Sequence, residues 1–580
     1  MQETIHDLEK RYYRQRDMQV LPRLLCAYFE EGEYELVYYL AKLSEELFLQ
    51  SRFYKLLALA ELGQLENAQR LWQTGREEWF PLCTQSRIYW KHAALYALYF
   101  RDFHLTEYYR EAFDAYYDNP LISLLELCLE EPEAQLWQTP VFEACKRKYP
   151  TLGKMWAGAE TSHHKKVASF ESMQWRIWGR YNETLREKMP DTGIKNVELV
   201  FDRDGLQIFS YKHRSSAASM HLVTDGKTTI MLDCGCERRE EKDCAIPVQK
   251  ILRELGIPQV TAVFLTHAHF DHYGSLGKVN GAAVYMTTET WGLLRFFTPG
   301  FQMGRVQTVS SGSEVAVEDV IVRMIPNGHL YGSVLLDILW KGRTHIVYTG
   351  DFCTENQRSI PGLDTKALLR GFSRRVDVML TETTFGRTWD MPEPGTYRAI
   401  FQKLCRKLVF YKYKLIILSS LLGGIQENAL LLQDIAAEEG MRILIDGIGA
   451  QRATEYFQNC IGKRIIGRYI SASSQGQSSV QKLENNDILL MGAGTLEEGR
   501  AFEEYLQELY QYDRHVCVIK TGFIPQANHI LANLRSQAFE KLLYLDIPLP
   551  SHAGYQSLKR FLEEVSPDCA VYVHGNGIEE

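Results

Sequence analysis

The chain has 580 residues and a net charge of −8, with 73 acidic and 65 basic side chains. This length exceeds what one hydrophobic core can organise, so several domains are expected. No apolar stretch reaches the roughly 18 to 20 residues of a membrane helix, and the polar start MQETIHDLEKRYYRQRD has no secretion signal. The acidic balance excludes a generally basic nucleic-acid binder. Scattered cysteines in apolar patterns fit a reducing compartment, so we expect a cytoplasmic protein without a membrane segment.

Residues 1–160 show helical periodicity without strand signals, as in FYKLLALAELGQLENAQRLWQTG. Breaks recur at intervals of roughly 30 to 40 residues, the spacing of stacked helix pairs of the tetratricopeptide type. The full consensus of that repeat is not met, so an irregular array of helical hairpins is the alternative. Such a stack is expected to recruit a protein partner or a substrate tail. Residues 161–194 are expected to form a connector.

The pattern changes after residue 194. Residues 195–386 alternate short runs rich in valine, isoleucine and threonine with glycine, asparagine and aspartate turns, which predicts a strand-rich domain. In residues 387–550, strands such as LIILSS and RILIDG alternate with helices such as QENALLLQDIAAEEG, which favours a parallel α/β unit. Residues 551–580 then supply a short strand, a helix and a final strand.

The stretch TAVFLTHAHFDHYGSL carries four candidate metal ligands directly after an apolar strand: His267, His269, Asp271 and His272. Imidazole and carboxylate groups are ligands that zinc prefers. Residues two apart in an extended segment point the same way, so the first two histidines can face one ion while the others turn toward a second. The alternative is a polar loop, but only 16 histidines occur in the whole chain, and three in this window favour a metal site.

This H-x-H-x-D-H signature resembles the metallo-β-lactamase superfamily, whose αββα sandwich holds one or two metal ions. Further motifs follow in the family's order: Asp233 in TTIMLDCG, a buried aspartate behind the ligands, His329 in IPNGHLYGS and Asp351 in HIVYTGDF. The resemblance implies one ion held by His267, His269 and His329, a second held by Asp271 and His272, and Asp351 between them. It also implies two Zn²⁺ ions per chain, with Mn²⁺ as the alternative, that activate water for hydrolysis.

Glu382 in VMLTETTFG resembles the acidic motif that opens the β-CASP branch, the nucleic-acid-processing group of this superfamily. That branch inserts an α/β domain here, which suits residues 387–550. The segment LPSHAGYQSLKRFLEEVSPDCAVYVHGN resembles its closing pair of histidines, His552 and His574. The resemblance implies that His552 contacts the scissile phosphate and acts with Glu382 as proton donor, while His574 completes the second ion's shell. The expected catalytic residues are Asp271, Glu382 and His552.

His574 also bears on the substrate. Judged locally, a histidine after a terminal strand is a packing residue or a frayed end. In the β-CASP branch, members that act on RNA generally carry histidine at this position, whereas DNA-repair members carry an apolar residue. Three departures accompany the match: Gly554 stands where the branch usually has aspartate, Gly424 where it has arginine, and Asn576 where glutamate is commoner. We therefore expect some difference in substrate handling.

A basic and aromatic segment, KLCRKLVFYKYK, opens the inserted unit. It interleaves aromatic residues with five candidate RNA-binding residues: Lys403, Arg406, Lys407, Lys412 and Lys414. Basic groups that follow a phosphate backbone and rings that stack on bases are typical of single-strand binding. The alternative is the solvated face of an amphipathic helix.

The sequence thus predicts a multidomain protein: an N-terminal all-α helical repeat, then an αββα metallo-β-lactamase sandwich with an inserted α/β β-CASP domain. The predicted function is a zinc-dependent ribonuclease that hydrolyses phosphodiester bonds of single-stranded RNA with a dimetal-activated hydroxide. The alternatives are a DNA nuclease or small-molecule metallohydrolase on the same fold, and a helical-repeat interaction protein with a structural metal site. A homo-oligomer is a further expectation.

Overall fold

The computed structural model describes residues 3–85, 87–100, 102, 123–124, 127, 139–148, 196–211, 218–239, 242–297, 305–386, 391–462, 465, 468–470, 487–492, 515–522 and 543–575. The chain divides into two compact units, Met1–Ser172 and Met173–Glu580. The expected connector, residues 161–194, lies outside the described residues. Within the described residues, no helix combines the length and apolar character needed to cross a membrane.

The first unit is helical throughout its described part. Its α-helices are α1 Ile5–Glu9, α2 Leu21–Glu30, α3 Tyr34–Ser44, α4 Leu49–Glu61, α5 Leu65–Thr74, α6 Arg76–Gln85, α7 Arg87–Phe100 and α8 Pro140–Lys148. Helix α2 buries Leu21, Leu24, Leu25 and Tyr28, the spacing of one helical face that packs on its neighbours. The predicted helical N-terminal region is confirmed, whereas the type of repeat stays a prediction.

Two sheets of the second unit face each other. Their strands are β1 Val197–Arg203, β2 Leu206–Tyr211, β3 His221–Thr224, β4 Thr229–Leu232, β7 Ala262–Phe264, β8 Ala283–Thr287 and β9 Val306–Val309 in the first sheet, and β10 Glu314–Val317, β11 Val320–Pro326, β12 Val334–Trp340, β13 Thr344–Tyr348, β14 Val378–Thr383 and β21 Cys569–Gly575 in the second. The strands β5 Cys236–Arg239 and β6 Lys242–Ala245 form a separate two-stranded sheet.

The sandwich core follows from alternation along the strands. Strand β11 buries Val320, Val322 and Met324, while Ile321 is exposed and Arg323 partly exposed. Its apolar face can therefore pack against the first sheet, where Ile208 and Phe264 are fully buried. The outer face of the first sheet packs against helices α9 Val248–Glu254 and α11 Thr288–Phe297.

The second helical layer is formed at the C-terminal end. Helix α16 Tyr555–Val565 contacts Phe352, which follows β13, through Phe561 at a ring-centroid distance of 4.8 Å. Helices thus lie on both outer sides of the paired sheets. The predicted αββα sandwich is confirmed.

A third sheet is entirely parallel, with strand order β17-β16-β18-β15-β19-β20. Its strands are β15 Lys414–Ser419, β16 Arg442–Asp446, β17 Arg468–Ile470, β18 Asp487–Gly492, β19 Val516–Lys520 and β20 Leu543–Asp546, and its main described helices are α13 Pro394–Phe410, α14 Gly424–Glu438 and α15 Ile448–Ile461. Strand β15 is a continuous apolar run because a parallel strand is covered on both faces. This sheet is the predicted α/β insertion.

The chain returns to the sandwich through β21, which pairs in parallel with β14. In this register Glu382 lies opposite His574. Strand β13 is also parallel to β14, so these strands end at the same edge of the sheet. The residues that follow or end them therefore meet at one place.

Candidate metal centre

The histidine-rich loop begins where strand β7 ends. A short helix, α10 Phe270–Tyr273, follows it, and the backbone carbonyls of Asp271 and His272 accept hydrogen bonds from Ser219 and Cys234. A Cβ at Gly235 would lie 1.6 Å from the Asp271 carbonyl oxygen. Glycine at this position therefore allows the loop to pack tightly against the end of β4.

Four of the predicted ligands form a first cluster. The ligand atoms of His267, His269, His329 and Asp351 all lie within 4.8 Å of one another. His269 Nδ1 is 3.1 Å from His267 Nε2 and 3.0 Å from His329 Nε2. His267, His329 and Asp351 are almost completely buried, while His269 is partly exposed. The cluster has the size and donor types of a transition-metal site.

Asp271, His272 and His574 form a second cluster, whose ligand atoms also lie within 4.8 Å of one another, and Asp351 of the first cluster lies between the two. One oxygen of Asp351, Oδ2, is 3.4 Å from His272 Nε2 and 3.7 Å from His267 Nε2, while Oδ1 is 3.9 Å from His574 Nε2. The structure thus brings together every residue that the sequence proposed as a ligand. Asp351 reaches both groups.

Three buried atoms in this region have no hydrogen-bond partner: His272 Nε2, Asp351 Oδ1 and His574 Nε2. Buried polar atoms in native proteins are nearly always paired, and leaving one unpaired costs about 1 to 3 kcal/mol. A divalent cation bound by these atoms would satisfy all three. The side chains present therefore fit a metal centre.

Asp233 orients one histidine of each cluster, His272 directly and His267 through Thr266. Its Oδ2 accepts hydrogen bonds from His272 Nδ1 at 2.7 Å, from the Tyr348 hydroxyl at 2.7 Å and from the Thr266 hydroxyl at 2.8 Å. The Thr266 hydroxyl in turn lies 3.0 Å from His267 Nδ1. Because Nδ1 of both histidines is engaged, Nε2 of each faces the cluster.

The other two Nε2 ligands are oriented in the same way. His329 Nδ1 donates to the backbone carbonyl of Ser551 at 2.9 Å. His574 Nδ1 lies 3.1 Å from the Thr384 hydroxyl, which donates to Glu382. Ser551 and Thr384 therefore direct Nε2 of these histidines toward the centre.

Neighbouring charges divide the buried histidines into those with a lowered pKa and those with a raised pKa. Burial holds the pKa of His267 and of His329 well below the usual value, and neighbouring histidines lower it further. Burial alone would also lower the pKa of His272, but the carboxylates of Asp351 and Asp233 raise it well above its usual value. The first cluster thus presents neutral imidazoles, the form that binds metal.

Glu382 and His552 form a hydrogen-bonded pair beside the clusters. Glu382 is 2% exposed, and its Oε2 accepts from His552 Nδ1 at 2.7 Å while its Oε1 accepts from the Phe352 amide at 2.6 Å. The His552 ring lies 4.6 Å from that of His329. Burial alone would lower the pKa of His552, but Glu382 raises it to about 9. The Glu382 carboxylate therefore favours the protonated form of His552.

Sequence reasoning missed the residues that orient the ligands. Tyr348, Thr384 and Ser551 carry no recognisable local pattern, and each acts through a contact with a residue distant in sequence. Tyr348 directly precedes the TGD motif, but nothing in that motif indicates that its hydroxyl reaches Asp233. Only the assembled sandwich brings the two together.

Tyr348→Phe is expected to weaken metal binding by about 10- to 100-fold, the usual effect of removing a residue that orients a ligand. The variant removes one donor to Asp233, which positions His272. Competition with a chelator measures the affinity. Tyr285→Phe is the matched control, because the Tyr285 ring stacks on Phe264 at 5.1 Å. Equal metal affinity in the two variants would contradict the orienting role of Tyr348.

Two of the three departures from the branch pattern have structural counterparts. A Cβ at Gly554 would lie 2.6 to 2.8 Å from the Glu393 carboxylate, so another side chain already occupies that space. A Cβ at Gly424 would lie 2.3 Å from the Ser419 hydroxyl and 2.4 Å from the Ser420 hydroxyl. Asn576 lies outside the described residues.

The basic segment is spread over α13 and the turn after it. Arg406 forms an ion pair with Glu438 at 2.8 Å. Tyr411 and Tyr413 are buried in the core, whereas Phe410 is 55% exposed. Two of the three interleaved rings are thus unavailable for stacking on bases. The RNA-binding role of the segment, with Lys403, Lys407, Lys412 and Lys414, stays a prediction.

Residues 215–358 match the metallo-β-lactamase superfamily. A protein named ribonuclease from Thermus thermophilus is 24% identical over 425 residues, which cover 62% of this chain and 91% of that protein. A probable RNase from Methanocaldococcus jannaschii is 20% identical over 428 residues, or 66% of this chain and 94% of that protein. An endoribonuclease from Eremothecium gossypii is 20% identical over 424 residues, or 62% of this chain and 53% of that protein. The predicted β-CASP relationship and the predicted metal-dependent hydrolase are confirmed.

Proposed function

Since this chain carries a metallo-β-lactamase domain of the β-CASP type, we propose that it is a ribonuclease that hydrolyses phosphodiester bonds of single-stranded RNA with two zinc ions. The observation that carries the proposal is the position of Asp351 between two histidine clusters. Both clusters are built from nitrogen and carboxylate donors, which suit zinc, with manganese as the alternative.

When bound, two such ions supply Lewis-acid chemistry, because they lower the pKa of water and offset negative charge on phosphoryl oxygens. His267, His269 and His329 would hold the first ion, and Asp271, His272 and His574 the second, with Asp351 shared. The described residues supply a donor for each of these roles.

Exposure defines the side from which a substrate approaches. The side chains of Asp271 and His552 are 33% and 19% exposed, while those of His272 and Asp351 are 0% and 3% exposed. A phosphate group that enters from the exposed side meets Asp271 and His552 first. The buried side excludes water from the carboxylates that orient the ligands.

His552 is placed to move a proton. Glu382 accepts from its Nδ1, so Nε2 is the atom that remains to face a phosphate. With its pKa raised to about 9, the imidazolium can stabilise charge on the phosphate and donate a proton to the leaving oxygen. Glu382 fixes the ring and keeps it protonated.

RNA is proposed as the substrate because His574 lies in the second cluster, as in RNA-processing members of the branch, and because several similar proteins are named ribonucleases. The test is to incubate the purified protein with labelled single-stranded RNA, sequence-matched DNA and a generic phosphodiester. Faster cleavage of RNA supports the proposal. Preference for DNA, or turnover of the small phosphodiester alone, would replace it with one of the alternatives.

Two truncations at the C-terminus are expected to distinguish the role of His574 from that of the residues that follow it. Removal of residues 574–580 should reduce both metal content and RNA cleavage, because it deletes a donor of the second cluster. Removal of residues 576–580 keeps His574 and serves as the control. Elemental analysis and a cleavage assay measure the two effects. Wild-type metal content and RNA cleavage in both truncated proteins would mean that His574 is dispensable.

The helical unit is proposed to recruit a protein partner or part of the RNA, and the protein is proposed to act in the cytoplasm. The support for recruitment is that successive helices from α2 to α7 pack against one another, as in helical arrays that bind partners along one face. A homo-oligomer is part of the same proposal.

A further inference from the structure

The helix that follows His552 has no cap of its own. Helix α16 begins at Tyr555, and its N-cap residue, Gly554, has no side chain to accept a hydrogen bond from the first turn. Amides at a helix start need an acceptor, which aspartate, asparagine or serine at the N-cap usually supplies. His552 lies two residues before this uncapped start.

Glu393 supplies the missing acceptor from another element. Its Oε1 accepts from the Gln556 amide at 3.0 Å and its Oε2 accepts from the Ser557 hydroxyl at 2.5 Å. Glu393 itself occupies the N-cap position of α13, but its side chain makes no capping hydrogen bond there. The Glu393 carboxylate therefore serves the first turn of α16 and not that of its own helix.

The space beside Gly554 admits only one carboxylate side chain. The atoms of the Glu393 carboxylate lie 2.6 to 2.8 Å from the position that a Cβ at residue 554 would occupy, closer than real Cβ contacts allow. An aspartate at position 554 would accept from the Gln556 amide in place of Glu393, because Gly554 has the extended backbone of an N-cap, with φ −69° and ψ 167°. A side chain at 554 and Glu393 are thus mutually exclusive.

The segment around His552 is held on both sides. Before it, the Pro550 carbonyl accepts from Arg398 at 3.5 Å. After it, the Ala553 amide donates to the Phe352 carbonyl at 2.6 Å. The next contact along the chain is that of the first turn of α16 with Glu393. Glu393 and Arg398 both belong to the N-terminal end of α13. The N-terminal end of the inserted domain thus fixes the backbone that carries His552.

We infer that Glu393 is a positioning residue for His552, which it aligns by capping α16 in place of a side chain at position 554. This inference rests on the proposed function, because the alignment matters through the contact of His552 with the phosphate. Loss of the cap lets the first turn of α16 fray and displaces the imidazole. A displacement of about 1 Å is enough to cost about 100-fold in rate.

The test is a reciprocal exchange at positions 393 and 554. E393A is expected to lower kcat for RNA by about 10- to 100-fold while KM changes less than about twofold, since the chemistry and not the binding is disturbed. G554D alone should also lower kcat, because two carboxylates compete for one space. The double variant E393A/G554D should recover most of the activity, because the aspartate takes over the donors of α16.

D364A is the matched control. Asp364 caps another helix of the same unit, α12 Thr365–Gly371, by accepting from the Ala367 amide at 2.9 Å. Its loss removes a carboxylate cap at an exposed position, and kcat should stay at the wild-type value. Equal loss of kcat in D364A and E393A, or a double variant no more active than E393A, would overturn the inference. A rise in KM without a fall in kcat would overturn it as well.

Amide hydrogen exchange separates this inference from the proposed function. Exchange at Gln556 should be faster in E393A than in the wild-type protein and should slow again in E393A/G554D, with no substrate present. If the wild-type protein cleaves no RNA, the proposed function fails, whereas exchange still decides whether Glu393 caps the helix. Unchanged exchange at Gln556 in E393A would refute the capping contact itself.

Discussion

Replacement of Asp351 by alanine is expected to abolish hydrolysis and to remove metal from both clusters. Its Oδ2 lies 3.7 Å from Nε2 of His267 and of His329, and its Oδ1 lies 3.9 Å from His574 Nε2. Without this carboxylate, each cluster would offer one donor fewer to an ion and less negative charge to balance it. The loss of activity should exceed the about 10- to 100-fold typical of residues that only orient a ligand.

Asp337→Asn is the control for this experiment. Asp337 is a partly buried carboxylate on the sandwich, where it accepts from Arg323 Nε at 3.0 Å and from His345 Nε2 at 2.6 Å. Its loss should lower the free energy of unfolding while metal content and activity per folded molecule stay the same. An Asp351→Ala protein that still carries two ions by elemental analysis would contradict the bridging role.

His552→Ala is expected to lower kcat for RNA by about 10²- to 10⁴-fold, the range for loss of a general acid, and to leave the metal content unchanged. His552 belongs to neither metal cluster, and its Nδ1 is bound to Glu382. The variant therefore removes the proton donor without removing a ligand. Steady-state kinetics and elemental analysis on the same preparation check both halves of the prediction.

Glu382→Gln provides the companion measurement. If Glu382 acts by keeping His552 oriented and protonated, the double variant Glu382→Gln/His552→Ala should be scarcely slower than His552→Ala alone. The effects of residues that act as a unit are not additive. Additive losses would show that Glu382 has a separate role, for example as a metal ligand, because its carboxylate lies within 4.8 Å of ligand atoms of Asp351 and His574. Full activity of His552→Ala would contradict its assignment as the acid.

The sequence identified the ligands where the pattern is local. His267, His269, Asp271 and His272 lie within six residues, in the loop after β7 and the short helix α10, so one local segment supplies two donors to each cluster. His574 is different, because it joins the site only through the parallel pairing of β21 with β14, which sets it opposite Glu382. Such pairing between distant strands is not encoded locally, so a resemblance to a known family was needed to predict it.

Other features could not be predicted because they depend on packing. Tyr411 and Tyr413 follow a basic helix in the sequence, yet they are buried since the chain turns directly into β15, a central strand of the parallel sheet. Glu393 looks like an ordinary acidic residue before a proline, and its contact with α16 spans more than 160 residues. Close approaches of this kind emerge only when the domains have assembled.

The most direct test of the proposed centre is a titration of metal-free protein with zinc while the cleavage rate of labelled single-stranded RNA is followed. We predict that the rate rises with added zinc and reaches its plateau at two equivalents per chain, because the two clusters share Asp351 and both must be filled. A plateau at one equivalent, or RNA cleavage that needs no metal, would contradict the two-ion centre. Absence of RNA cleavage at every zinc concentration would contradict the proposed function.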